Sequence, residues 1–428
     1  MPSLLSDRPV TMARAWITSA AQWLNPGRIR AQAMLLALCT WGVCAVDFAT
    51  PGLIDGAGNI KFQDFLPLYV SARLITQDQA NHLYDPQVTA EGMQAVVLQS
   101  AKVSLPNLYG PQVGLFLVPL SRFSFPAAAR IWIIASLLVY AACLCLVWKS
   151  CPALRTRFGL VALCAIAFPP LFHFFVRGQL SALVLACFTA AFLAFRADRP
   201  WLAGVALGFL VFKPQFLVAI PIVLLLSQAW KTFAGLFVAA GAQLAFARIY
   251  FGPMAMNAYF GMLWHISRVI GRVELSLAPI QMHSLRAFWS LLIPWPVVAT
   301  ALYVLSSVVV VGVAAVVWKS SSPLSIRFSA LTLAAVLVNP HLFVFDLLVL
   351  APVLLLLVDW TLSNADDPSS ATLRLLLYLA FVLPLVGPLS RWTHVQLSVP
   401  AFAVVLWVLS RRFATPSHKL ASSESGVV

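Results

Sequence analysis

Apolar runs long enough to cross a bilayer recur along almost the whole chain, and no other feature limits its fold so much. A spanning helix needs about 20 apolar residues, with a range of about 17 to 25. Lipid offers no partner to a backbone amide, so such runs must bond internally as helices. The candidate spans are 31–49, 127–148, 158–175, 180–195, 200–212, 215–229, 233–250, 297–318, 326–339, 342–359, 373–389 and 396–410. The expected fold class is an all-α integral membrane protein, a polytopic helical bundle of about 12 transmembrane helices, with roughly 10 to 13 as the range. Charged residues are only 10% of the chain and apolar ones 61%. A soluble domain carries about 25% charged residues, so a water-facing globule is excluded.

The net charge of +14 sits in short loops between apolar runs. That is the pattern of orientation signals and headgroup contacts. No loop combines a basic patch with interleaved aromatics, so nucleic acid is not an expected partner. Placing both termini in the cytoplasm puts Arg28, Arg30, Lys149, Arg155, Arg157, Arg196, Arg199, Lys231, Lys319, Arg327, Arg374, Arg411 and Arg412 inside. The expected organisation is a cytoplasmic segment 1–30, one transmembrane domain 31–410 and a disordered cytoplasmic tail 411–428. The first apolar run is read as an uncleaved span, and the expected location is a bacterial inner (plasma) membrane. All seven cysteines lie in or beside apolar runs, as buried small hydrophobes rather than disulfides or a metal site.

Two extracytoplasmic loops are long, 50–108 and 251–296. Long loops in compact folds are usually functional. In the first, 68–75 reads as a short helix at the interface, and Asp85-Pro86 as the start of another. Segment 109–125 is apolar but broken by Gly110, Pro111, Gly114 and Pro119. It reads as re-entrant or interfacial, because a full span there would invert the basic loop 149–157.

Polar residues cluster at the outer ends of spans: Arg177-Gly178-Gln179, Lys213-Pro214, Asn339-Pro340-His341 with Asp346, and Arg268 and His283 in the second loop. Ionisable groups at membrane depth are costly and tend to line pathways or sites. Asp64 is a candidate general base for a hydroxyl nucleophile, or else a helix N-cap. Asp85 fits a cap more readily. Lys213 and Arg177 are candidates for binding a phosphate, or else they snorkel to headgroups. His341 and Asp346 form a buried polar pair or line a site, and His283 is a loop histidine or a lining residue.

Taken in order, Phe62-Gln-Asp-Phe65 with Tyr69, His82-Leu-Tyr-Asp85, Tyr109-Gly-Pro111, Gly178-Gln-Leu-Ser181, Gly204-Val-Ala-Leu-Gly208 with Lys213-Pro214, and Asn339-Pro-His341 with Phe345-Asp346 resemble glycosyltransferase family 87 of the GT-C superfamily. The resemblance implies a GT-C-like fold and a membrane transferase. Its donor would be a sugar, mannose first, on a polyprenyl phosphate. The acceptor would be a lipid-linked or envelope glycan, and the active site extracytoplasmic. Asp64 would be the catalytic base of an inverting transfer. Lys213, Arg177, His341 and Arg268 would bind the donor phosphate, with Gln179, Tyr109, Asp85, Asp346 and His283 lining the site. No cofactor and no metal are expected, since the first loop has no Asp-x-Asp or Glu-x-Asp. The chain departs from the family pattern at Gly110-Pro111 and Asn339-Pro340, where a Pro-Pro and a Ser-Pro are frequent. Two other readings compete: a transporter or flippase of lipid-linked sugars, which tends to show paired halves with broken helices, and a non-catalytic envelope-assembly subunit. The two halves show no convincing match, and the long acidic first loop suits an enzyme better than a transporter. An assembly subunit would not need Asp64, Lys213 and His341 to converge.

Overall fold

The computed structural model describes residues 19–102, 105–277 and 281–413, with side chains for all of these except 101–102 and 266–277. The tail beyond Phe413, and with it the expectation of disorder there, falls outside the described residues. Helix α1 (Pro26–Phe48) comes first, followed by α2 (Leu66–Thr76), α3 (Pro86–Val96) and α4 (Pro111–Leu117). A long helix, α5 (Phe125–Trp148), leads to a pair, α6 (Phe158–Ile166) and α7 (Pro169–Arg177). Then come α8 (Ser181–Arg196), α9 (Pro200–Gly208), α10 (Ile220–Leu226) and α11 (Trp230–Leu277). The chain continues with α12 (Leu285–Leu292), α13 (Pro296–Lys319), α14 (Leu324–Leu337), α15 (Leu350–Ser363), α16 (Ser370–Val382) and α17 (Ser398–Phe413). Among the described residues no strand forms beyond the isolated bridges Ile54–Ile60 and Met282–Phe343.

The chain is a helical membrane protein. Among the described residues six helices are long and apolar enough to cross a bilayer: Pro26–Phe48, Phe125–Trp148, Trp230–His265, Pro296–Lys319, Val344–Ser363 and Ser370–Thr393. Pro152–Ile166, which contains α6, and α7 together have the length and hydropathy of a span but are bent by 49° at Phe168-Pro169-Pro170, the geometry of a broken span or a re-entrant loop. Two successive prolines remove two amide donors there, which breaks the ladder. The apolar runs around 200–226 are short for a similar reason. Lys213-Pro214 divides them into two 3-10 turns, Phe209–Phe212 and Pro214–Leu217.

The helices sort by exposure. Only 11% of the apolar window of α1 is buried, whereas 78% of Val344–Ser363 is, so the latter runs through the centre of the bundle. Elsewhere in the bundle helix backbones come into direct contact. A Cβ on Gly204 would stand 2.0 Å from the Thr232 carbonyl oxygen, so α9 meets α11 backbone to backbone. Small residues permit such approaches in membranes, where packing rather than hydrophobicity drives association.

Two parts of the long loops 50–108 and 251–296 differ from their sequence reading. Helix α2 is not a surface helix: every residue from Leu66 to Ala72 is buried. It packs on α4, on the 3-10 turn Val118–Arg122 and on α5, so segment 109–125 forms a wall over it. Part of the second long loop is helical. Gly252 adopts a left-handed φ of 79°, and Pro253 restarts the helix that continues to Leu277. Proline suits a first helical turn, where its missing donor costs nothing.

Candidate active site

Asp64 lies in a short 3-10 turn, Gln63–Phe65, immediately before α2. The turn is entered through Phe62, which holds a left-handed φ of 56°. That conformation costs a bulky residue about 1–3 kcal/mol and needs surrounding structure to enforce it. The enforcement is visible. The Phe62 ring packs on Phe48 at 5.2 Å and on Phe175 at 6.1 Å. Lys61 Nζ donates to the carbonyls of Phe48, Thr50 and Gly52. On the other side Phe65 stacks on Trp132 at 5.9 Å. Trp132 Nε1 in turn donates to the Gly178 carbonyl at 3.1 Å.

That bond ties the Asp64 turn to the Arg177-Gly178-Gln179 turn between α7 and α8. Gly178 makes the approach possible. Its φ is 74°, and a Cβ there would meet Phe65 Cβ at 3.0 Å. Few other residues accept such a φ without strain. As a result Gln179 is buried and bonded across the fold. Its Nε2 donates to Asp64 Oδ2 at 2.6 Å, and its Oε1 accepts from the Tyr109 hydroxyl at 2.9 Å. Tyr109 is held in turn, since its carbonyl accepts from the Tyr84 hydroxyl at 2.6 Å. The cap reading of Asp64 fails here: α2 has no side-chain cap, and the carboxylate bonds a residue 115 positions away.

Asp64 is half-buried, so a reactant can reach it. Burial pushes its carboxyl above the usual 3.8, against the opposing pull of Arg177, the hydrogen bonds from Gln179 and Gln63, and Lys213. Burial also raises the Tyr109 hydroxyl well above its ordinary value, with Asp346 and Asp64 adding to the effect. Tyr109 therefore stays a donor, which fixes the Gln179 amide with its nitrogen toward the carboxylate.

A second cluster adjoins the first. Lys213 Nζ forms an ion pair with Asp346 Oδ1, and both side chains are almost fully buried. Ser181 Oγ donates to the same carboxylate oxygen at 2.8 Å. The turn Val344–Val349 carrying Asp346 packs on α7 and α8, which brings Ser181 within reach. Asp346, a carboxylate with no neutralising neighbour in sequence, is neutralised by Lys213, 133 positions away. The charge of Lys213 is thus already matched inside the protein.

The other candidates sit elsewhere. Asp85 is an N-cap, its Oδ1 accepting from Gln87 N at 2.9 Å and Val88 N at 3.3 Å. His341 stands on the Asn339–His341 turn with its ring 5.0 Å from Phe343. His283 is fully buried, with Nδ1 2.7 Å from Ser398 Oγ and no partner at Nε2 among the described residues. Burial, with His173 nearby, pushes it down to about 3, so it is neutral at ordinary pH. The side chain of Arg268 lies outside the described residues. Sequence reasoning passed over Gln63, which shares the 3-10 turn of Asp64, and Arg286, whose Nη1 donates to the Pro340 carbonyl at 3.2 Å beside His341. It also passed over His173, a polar residue inside the apolar run Leu171-Phe-His-Phe-Phe175 that was a signal open to reading.

A sequence model of glycosyltransferase family 87 matches residues 107–344. The chain belongs to that family. It is a glycosyltransferase, with a sugar donor and an acceptor as its substrates. No curated protein and no solved structure matches the chain. Within this family 87 enzyme the matched stretch holds Tyr109, Arg177, Gln179, Lys213 and His341. Asp64 lies before it and joins the matched residues through the hydrogen bond from Gln179.

Proposed function

We propose that the enzyme moves a hexose, mannose in the first instance, from a polyprenyl-phosphate donor to a hydroxyl of a lipid-linked or envelope glycan, at the extracytoplasmic face. One observation carries this reading: a half-buried carboxylate, raised by burial, is oriented by Gln179 beside the cation Arg177. Asp64 removes the acceptor proton as the acceptor oxygen attacks the anomeric carbon. The bond from that carbon to the phosphate oxygen breaks, the configuration inverts, and polyprenyl phosphate leaves. Arg177 is the leading partner for the leaving phosphate, with His341 on the Asn339–His341 turn and Arg286 of α12 bonded to that turn, because positive groups aimed at developing charge lower the barrier. Lys213 acts through its pair with Asp346, as the support of that turn. The proposed topology has about 12 crossings, with the six long helices, the bent pair, the four shorter apolar helices and α17 as its spans. Segment 1–30 and the tail 411–428 flank a single transmembrane domain in the cytoplasm.

The test is transfer of label from polyprenyl-phosphate hexoses to endogenous lipid in membranes containing the protein. Label is expected in product with inverted anomeric configuration, and retained configuration sinks the base role. The pH profile gives an independent check. A base must be unprotonated, so the rate is lost as pH falls through the carboxyl's raised value. Gln179→Leu removes a hydrogen bond that favours the carboxylate. The acidic limb of kcat/KM is therefore expected to move to higher pH in this variant. An unmoved limb separates Gln179 from the titrating group.

A further inference from the structure

A cavity of about 490 Å³ lies between α1, α5, α6, α15 and α16. It is far from Asp64. The first half of α1 lines it, from Pro26 to Leu36, while the last residue of α1, Phe48, meets Lys61 and Phe62 at the other end. The 23 residues of α1 rise about 34 Å, the thickness of a bilayer core. The lined portion rises about 15 Å, the depth of one leaflet.

Its walls are chemically graded. The deep part is apolar, with Leu36, Leu144, Phe168 and Ala351 among its residues. The mouth carries Asn25, Arg157 and Arg374, and among the described residues no aspartate or glutamate lines any part of it. Arg157 is exposed at the rim. Arg374 spends Nη2 on the Thr361 carbonyl at 3.0 Å, and its Nε is buried with no partner among the described residues. An orphaned guanidinium donor is costly unless an anion reaches it.

We propose that this cavity is a binding site for an anionic phospholipid, with one acyl chain in the apolar slot and the phosphate on Arg374 and Arg157. The fit rests on charge, grading and depth together: a leaflet-deep apolar slot capped by two cations matches an amphiphile with a negative head. Headgroup attraction of this kind is worth about fivefold in affinity per arginine. The mouth of the site lies about a bilayer's thickness from the end of α1 that meets the Asp64 turn, and the site does not depend on the transfer chemistry.

Native mass spectrometry of the full-length protein in neutral detergent tests this, with phosphatidylglycerol, phosphatidylcholine of the same chains, and polyprenyl phosphate as separate probes. Phosphatidylglycerol is expected to bind tightest. Arg157→Gln, at an exposed position where folding is not at risk, is expected to weaken it about fivefold. Arg374→Gln is expected to do the same while Arg374→Lys retains binding. Ala351→Trp, which fills the slot, is expected to remove the adduct. Equal binding of phosphatidylcholine overturns the proposal, as does tighter binding of polyprenyl phosphate. So does the absence of any adduct, which is also the result expected if residues 1–18 of the chain fill the slot.

Discussion

Asp64→Asn is expected to lower kcat for sugar transfer by about a hundred- to ten-thousandfold, the range that a positioned general base supplies. The variant isolates charge from structure. Asparagine keeps an oxygen that can accept from Gln179 Nε2, so the bond holding the two turns together survives. Neither the Phe62 backbone nor the Phe65–Trp132 stack involves the changed atom. Protein level and thermal stability in detergent should therefore match wild type, and donor binding should change little. The measurement is the initial rate of label transfer at equal enzyme in membranes. Full activity in Asp64→Asn removes the aspartate from the chemistry and leaves it a structural clip between two turns.

The largest effect on stability is expected at the Lys213–Asp346 pair. Removing one member strands the other charge in a buried site, at a cost of about 3–5 kcal/mol. Lys213→Met and Asp346→Leu should each lower the unfolding temperature substantially. The double variant should recover most of the loss, because two apolar side chains can replace a buried pair at little net cost. Ser181 remains as a lone hydroxyl in that variant, so recovery falls short of complete. Unfolding of the four proteins in one detergent closes the cycle, and additive losses would mean that the ion pair carries no coupling. The same double variant tests the division of labour among the cations. If Lys213 serves only to support the turn, the restored fold keeps its KM for the donor. A large rise in KM would make Lys213 a phosphate ligand in its own right.

Much of this molecule is legible from local sequence. Apolar runs bounded by prolines and basic loops read as helices, and each of the six long helices found among the described residues overlaps one of those runs, Trp230–His265 extending well beyond its own. The cap at Asp85-Pro86 is equally local, because an acceptor side chain and a proline at the first helical position act within one turn. The turns at Arg177-Gly178-Gln179 and Lys213-Pro214 also stand out as polar breaks. The sequence was ambiguous where the same residue type serves two ends. Asp64 reads as a cap because caps are common, and nothing nearby announces Gln179. The 251–296 stretch reads as loop because polar residues and a Gly-Pro pair interrupt the hydrophobic pattern. The helix nonetheless resumes at that proline.

By itself, then, the sequence determined that this is a helical membrane protein, where its helices break, and which polar residues face the cost of membrane depth. Those properties depend on neighbours a few positions apart, through backbone hydrogen bonding and transfer from water. Which of the charged groups meet was decided only by tertiary packing. Gln179 reaches Asp64 and Lys213 reaches Asp346 across separations of 115 and 133 residues. Such partners are chosen by how helices pack, through close approaches such as Gly178 against Phe65 and Gly204 against Thr232. A buried charge demands a partner, but its own sequence does not say where in the chain that partner lies.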